Sequence, residues 1–131
     1  TRNSLKQNLK YLHDARIILA LYASSKGISS LQKPDKIYLG NPNLAYALKQ
    51  TPPDIGALRE CFFLNQLSLV GEVAYGKKAD FRVNNRWTFE VGGKNKTTKQ
   101  IREIDHSYIA ADDIEVGYRN KIPLWLFGFL Y

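Results

Sequence analysis

The sequence ADFRVNNRWTFEV, residues 79–91, decides the fold, because its first five and its last five residues both alternate strictly between apolar and polar. Alternation with a period of two predicts two short strands, each with one buried face and one polar face. A two-residue turn would place apolar side chains opposite polar ones. A three-residue loop at 84–86 instead pairs Val83 with Trp87 and matches polarity along the whole hairpin, so we predict that register.

Two acidic residues face each other in this register. Asp80 lies opposite Glu90, with β-carbons about 5 Å apart, and like charges at that distance repel. Mg²⁺ prefers oxygen ligands and often takes one or two protein carboxylates while it keeps several waters. We therefore predict a magnesium site with Asp80 and Glu90 as ligands, at which Mn²⁺ is expected to substitute. The alternative is an exposed ion pair, in which Arg82 neutralises Glu90 diagonally across the hairpin without a metal.

A third acidic residue precedes the hairpin in the chain. Glu60 lies in a predicted helix from Ile55 to Leu69, which is apolar over most of its circumference. A carboxylate in such a helix must lie at an exposed edge or have a partner, because an unpaired buried charge is costly. If this helix packs beside the hairpin, Glu60 joins Asp80 and Glu90 at one site.

Basic residues surround these acids in the sequence. The chain has 19 Lys and Arg against 12 Asp and Glu, a formal net charge of +7, and residues 77–102 contain eight basic residues but only two acidic ones. A basic rim around metal-binding carboxylates is what phosphodiester chemistry requires, so we predict a nucleic acid as partner, with DNA favoured. The alternative is a solvated charged surface. The predicted nucleic-acid contacts are Lys77, Lys78, Arg82, Lys94, Lys96 and Lys99.

The first fifty residues are predicted to form a unit of their own. We expect a helix capped by Ser4 and reaching Ala15, strands at 17–22 and 36–39, and a turn at 24–27 between the strands. A helix followed by such a ribbon resembles the end of a winged helix. The alternative is a basic amphipathic helix that packs on the rest of the chain.

The clearest break in the chain is Thr-Pro-Pro-Asp at 51–54, and we place a domain boundary there, giving domains 1–50 and 51–131. The predicted elements around it are a short helix at 41–48, the helix at 55–69, strands at 72–75, 79–83 and 87–91, a helix from Thr97 or Thr98 to Ile104, a strand at 107–111, and a docked tail at 122–131 with Pro123 in a first turn. The second domain therefore has the order αβββαβ, and the fold class is mixed α/β.

Several classes of function are disfavoured by what the sequence lacks. Cys61 is the one cysteine, so no internal disulfide forms, and a role as a small core residue is expected. No apolar run has membrane-spanning length, and we expect a cytoplasmic protein with no membrane partner. No G-x-x-x-x-G-K-[ST] loop occurs, so the chain has no ATP site of that type. Because the sequence opens directly into helical periodicity and contains no methionine, we expect it to be a piece of a longer protein.

Asp80, nine intervening residues, Glu90 and a nearby lysine resemble the PD-(D/E)XK restriction-endonuclease-like superfamily. Longer stretches look like the C-terminal part of prokaryotic AAA-type ATPases. These stretches are KIYL at 36–39, GALRECFFLNQL at 56–67, KADF at 78–81, FEV at 89–91, KIPLW at 121–125 and FG at 127–128. The resemblance implies an upstream ATPase module followed by a winged helix and an uncharacterised, nuclease-like domain.

The same resemblance implies roles for individual residues. Glu60 corresponds to the acid of the first core helix, Asp80 to the central metal-binding aspartate, and Glu90 to the acid of the E-x-K element. The family pattern has a lysine two residues after the glutamate, where this chain has Gly92. The nearest lysine is Lys94, which could reach back if the paired glycines form a bulge or turn.

Two functions are therefore expected from the sequence. The first is a nucleic-acid-binding or regulatory nuclease-like domain of an AAA-type ATPase, with degenerate catalysis because of Gly92. The alternative is an active Mg²⁺-dependent DNA endonuclease, in which Asp80 and Glu90 hold the metal, Glu60 assists and Lys94 contacts phosphate.

Overall fold

A computed structural model describes residues 1–23, 33–49 and 51–131, so the predicted turn at 24–27 lies outside the described residues. The helices and strands are α1 (Arg2–Asp14), β1 (Ile18–Leu21), β2 (Lys36–Leu39), α2 (Pro42–Leu48), α3 (Ile55–Leu67), β3 (Val73–Tyr75), β4 (Phe81–Val83), β5 (Trp87–Gly92), β6 (Ser107–Ala111), β7 (Lys121–Pro123) and a 3₁₀ helix (Leu124–Phe129). The fold is mixed α/β, as predicted. No helix in the described part of the chain is long and apolar enough to cross a membrane.

The main sheet has five strands in the order β3-β4-β5-β6-β7. Strands β3, β4 and β5 are antiparallel neighbours, whereas β6 runs parallel to both β5 and β7. The predicted hairpin register is confirmed, since Val83 pairs with Trp87 and Phe81 with Phe89. Asn84 and Asn85 both adopt positive φ in the loop, a conformation that asparagine tolerates better than most residues. A separate antiparallel pair is formed by β1 and β2.

The core lies between α3 and one face of the main sheet. Phe63 of α3 is completely buried, and its ring centroid lies 5.1 Å from that of Phe81, 5.0 Å from Phe89 and 4.9 Å from Phe127. Asp54 begins the helix by accepting the Ala57 N–H at 2.8 Å, which satisfies one free donor of the first turn. The predicted docking of the tail is confirmed, because the 3₁₀ helix contributes Phe127 to this core.

The other face of the sheet is covered by the connection between β5 and β6. The prediction of a helix from Thr97 or Thr98 to Ile104 is wrong, because this segment forms successive turns, with the Ile101 N–H bonded to the Thr98 carbonyl and the Ile104 N–H to that of Ile101. Turns with a three-residue step bring Ile101 and Ile104 onto the same side. They pack there against Ile109, so tertiary contacts outweigh the local helical signal.

The tail differs from the prediction in one further respect. Lys121–Pro123 is a strand that was not predicted. Pro123 is both its last residue and the N-cap of the 3₁₀ helix that begins at Leu124, so it lies one residue before the first turn in which it was predicted. β7 is the last strand of the sheet, and an edge strand tolerates a proline because one side of its backbone needs no ladder partner.

The N-terminal elements join the same core. Leu19 and Leu21 of β1 are buried in the hydrophobic cluster that contains Phe63, and the Tyr75 N–H donates to the Tyr22 carbonyl at 2.9 Å. α1 begins earlier than predicted, with Thr1 as its N-cap, and it buries none of its residues. The division at 51–54 stays a prediction.

Candidate active site

An acidic cleft opens at one end of the hairpin, where the sequence predicted a metal site. Its volume is about 440 Å³. We call it the acidic cleft after its two carboxylates, those of Asp80 and Glu90. Its other charged and amide-bearing lining residues are Lys36, Lys77, Lys78 and Gln100. The cleft therefore combines carboxylates with lysines, as the composition of residues 77–102 indicated.

Asp80 and Glu90 lie close together in the cleft. The ladder between β4 and β5 ends at the pair of Phe81 and Phe89, and Asp80 lies one residue outside it. Its Oδ2 accepts the Val91 N–H at 2.8 Å. Burial raises the pKa of Asp80, and the charges of Glu60 and Glu90 raise it further. The bond from Val91 and the charge of Lys96 act in the opposite direction. The two carboxylates thus share one site, as the register predicted.

Lys96 supplies the positive charge that these carboxylates need. Its Nζ lies 2.7 Å from Oε2 of Glu90, a residue that is only 2% exposed. This oxygen accepts no hydrogen bond of good geometry, so the pair is held by charge at close range. The contact with Glu90, with smaller contributions from Asp80 and Glu60, raises the pKa of Lys96. The alternative in which Arg82 neutralises Glu90 is therefore wrong.

Gly92 makes room for this lysine. A β-carbon built at Gly92 would lie 2.9 Å from Cδ and 3.0 Å from Cβ and Cγ of Lys96, so the lysine stem crosses the space that a side chain at 92 would occupy. The space beside the Gly92 backbone is thus occupied by the stem of Lys96. Lys94 is exposed, its carbonyl accepts Nζ of Lys121 at 2.8 Å, and it makes no ion pair within the described ranges.

Glu60 approaches the same site from α3 and is held by β2. Tyr38 donates its hydroxyl to Oε2 of Glu60 at 2.6 Å, and Nζ of Lys36 lies 3.2 Å from the same oxygen. Burial, followed by the hydrogen bond to Glu60, raises the pKa of Tyr38. Sequence reasoning did not predict these two partners. The available signal was their spacing, since residues two apart on one strand share a face.

The other predicted basic contacts fall in different places. Lys77 and Lys78 are exposed at the rim of the acidic cleft, and Arg82 lines a neighbouring cavity. Lys94 and Lys99 are exposed and line neither cavity.

Two further residues have structural roles. His13 accepts the Ala20 N–H at Nδ1, 3.0 Å away. Cys61 is buried, as expected, and burial raises the pKa of its thiol to about 11. Its Sγ donates to the Leu39 carbonyl at 3.1 Å. The chemistry of the site is therefore left to carboxylates and amines.

Asp80→Asn is expected to stabilise the metal-free protein at neutral pH, because the amide resembles the protonated carboxyl and can still accept the Val91 N–H. A pKa that is higher in the folded state than in the unfolded state makes folding less favourable as pH rises from below 3.8 through the folded pKa. The increase in melting temperature should therefore be larger at pH 7 than near pH 3.5. Thermal unfolding by circular dichroism in EDTA measures it, with Glu115→Gln, at an exposed carboxylate, as the control. A lower melting temperature for Asp80→Asn at pH 7 would contradict the argument.

Comparison with known proteins gave no match to a family model, a curated protein or a solved structure.

Proposed function

We propose that the chain is a nucleic-acid-processing module whose acidic cleft hydrolyses phosphodiester bonds with Mg²⁺, with Asp80 and Glu90 as metal ligands. The observation that carries this proposal is the path of Lys96 across Gly92, which brings an ammonium group to Glu90. The main sequence argument against activity was the glycine at this position. Lys96, and not Lys94, is the lysine we assign to catalysis.

The residues of the cleft fit a magnesium ion. No group of three or more His, Cys, Asp or Glu suited to a metal occurs in residues 1–23, 33–49 and 51–131, but Mg²⁺ commonly binds to one or two carboxylates and keeps waters. Oε2 of Glu90 is buried without a well-directed hydrogen bond, and the pKa of Asp80 is raised partly by its carboxylate neighbours. Both features are relieved by added positive charge. Bound Mg²⁺ would supply Lewis acidity and lower the pKa of a coordinated water.

The protein groups have separate tasks in this proposal. The ammonium of Lys96 stabilises the negative charge that develops on the phosphate oxygens. The negative charge of Glu60 acts on Asp80, and Tyr38 and Lys36 hold the Glu60 carboxylate in place. Lys77 and Lys78 hold the phosphate backbone at the rim of the cleft.

The resemblance to AAA-type ATPases supports a wider setting for this activity. We propose a restriction-endonuclease-like core with the order αβββαβ. The first helix is α3, the strands are β3, β4, β5 and β6, and turns replace the second helix. The segment from α1 to β2 would be the end of a winged helix. An upstream ATPase module of the same polypeptide, in the cytoplasm of a prokaryote, would supply ATP hydrolysis.

A binding or regulatory domain without cleavage is the second candidate. The ion pair between Lys96 and Glu90 favours it, because an internal ammonium already neutralises the most buried carboxylate. In this case the basic surface binds DNA and no metal is needed.

A magnesium titration followed by amide NMR tests the metal site. Shifts that saturate are expected at residues 80 and 90–92, and paramagnetic Mn²⁺ should broaden the same signals. Asp80→Asn should abolish both effects, because it removes one of the two charged ligands. Glu115→Gln is the control, because Glu115 is exposed and lines neither cavity. A flat response to both metals would contradict the metal site and favour the binding domain.

A further inference from the structure

A second cavity, of about 480 Å³, lies beside the acidic cleft. We define the basic cavity by its polar and charged lining residues, Lys77, Lys78, Arg82, Arg86, Thr88 and Asp105. Four of these six residues are cationic, so the cavity attracts anions. Arg86 and Thr88 were not predicted as contacts, because an arginine in a turn and a threonine in a strand give no distinctive sequence signal.

The two arginines of the basic cavity are held by uncharged groups. Nη2 of Arg82 donates to the Asn85 carbonyl at 3.0 Å, and the guanidinium of Arg86 lies 4.5 Å from the ring centroid of Trp87. Neither arginine makes an ion pair with a carboxylate in the part of the chain that the structure describes, and Asp105 makes none there either. Both guanidinium groups are thus positioned and still have donors for a phosphate.

The basic cavity and the acidic cleft lie on the same polar face of the hairpin. Arg82 pairs with Thr88 in the ladder, and these positions are two residues along their strands from Asp80 and Glu90. Two residues along a strand span about 6.6 Å, which is an interval of one to two nucleotides along a nucleic-acid strand. Lys77 and Lys78 line both cavities and link them with positive charge.

We infer that the basic cavity binds phosphates of the same nucleic-acid strand one or two nucleotides from the bond held in the acidic cleft. The ligand is therefore an oligonucleotide or a polynucleotide, because a mononucleotide is too short to use both cavities. This inference rests on the proposed function, which places the bond to be cleaved in the acidic cleft. Its own content is the binding of phosphate by Arg82 and Arg86.

Fluorescence anisotropy with a labelled twelve-residue oligothymidylate tests the inference. The measurements use Asp80→Asn in EDTA, so that binding does not depend on cleavage or metal. Adding Arg82→Gln and Arg86→Gln should weaken binding about tenfold, because hydrogen bonds to charged groups are lost. The slope of log affinity against log salt should fall in magnitude by about 1.4, since two phosphate contacts disappear.

Arg119→Gln is the matched control, because Arg119 also lies over an aromatic ring, that of Tyr118 at 5.1 Å, but lines neither cavity. Replacing Arg82 and Arg86 by lysine should retain most of the salt slope, which separates lost charge from lost folding. A double glutamine variant that stays folded and binds like Arg119→Gln overturns the inference. Failure of the proposed function would give a different result. Binding would still respond to these variants, but the unmodified chain would cleave no DNA with Mg²⁺.

Discussion

Lys96→Ala is expected to lower the rate of Mg²⁺-dependent DNA cleavage by about a hundred- to a thousandfold, because it removes the ammonium next to Glu90. Lys94→Ala is the matched control, since it deletes the same charge two residues earlier from an exposed side chain. It should leave the rate within about threefold of the original. The measurement is the single-turnover cleavage rate of a labelled oligonucleotide at saturating protein. Equal losses in both variants would contradict the assignment of Lys96.

Lys96→Ala should also destabilise the fold, because Glu90 is buried and loses its counter-charge. Gly92→Lys in the Lys96→Ala background separates this effect from catalysis. The truncated residue at 96 loses Cγ and Cδ from the space over Gly92 and keeps only Cβ, 3.0 Å from the new β-carbon, so the loop must shift slightly. A lysine at 92 points to the same side of β5 as Glu90. We expect this double variant to recover much of the lost activity. A double variant that folds but stays as inactive as Lys96→Ala would show that the position of the ammonium was misassigned.

Phe63→Ala is expected to lower the free energy of unfolding by about 4 kcal/mol, since deleting a buried phenyl group loses transfer energy and leaves a cavity. Phe63 is 0% exposed and contacts the rings of Phe81, Phe89 and Phe127. Urea denaturation measures the change as a shift in midpoint at constant slope. Phe129→Ala, at a ring that is 76% exposed, should change stability by less than about 1 kcal/mol. A comparable loss in the two variants would place the centre of the core elsewhere.

The position of Phe63 also matters for the site. Glu60 lies three residues earlier on α3, about one turn away, so the docking of this helix sets where its carboxylate meets Tyr38. A partially folded Phe63→Ala variant should therefore lose cleavage activity together with stability.

The hairpin and its two carboxylates could be predicted because their information is local. Strict alternation fixes which face each residue occupies, and matching polarity fixes the register, so Asp80 and Glu90 had to meet if the hairpin formed. The short helix α2, the bounds of β2 and the bounds of β6 followed equally from neighbouring residues.

The partners of the carboxylates could not be predicted in the same way. Lys96 reaches Glu90 from a connection of successive turns between β5 and β6, in which a helix was predicted from Thr97 or Thr98 to Ile104. Tyr38 and Lys36 reach Glu60 through contacts more than twenty residues apart in the chain, across the predicted domain boundary. Such contacts depend on tertiary packing, which local periodicity does not encode.

The cleavage of a labelled single-stranded oligonucleotide by the intact chain, with and without Mg²⁺, tests the central claim most directly. Products should form with Mg²⁺ or Mn²⁺, disappear in EDTA, and be absent for Asp80→Asn, while Glu115→Gln, at an exposed carboxylate that lines neither cavity, cleaves normally. Failure to form products with either metal, by a folded protein that still binds the oligonucleotide, would contradict the claim. Cleavage that persists unchanged in Asp80→Asn would contradict it equally.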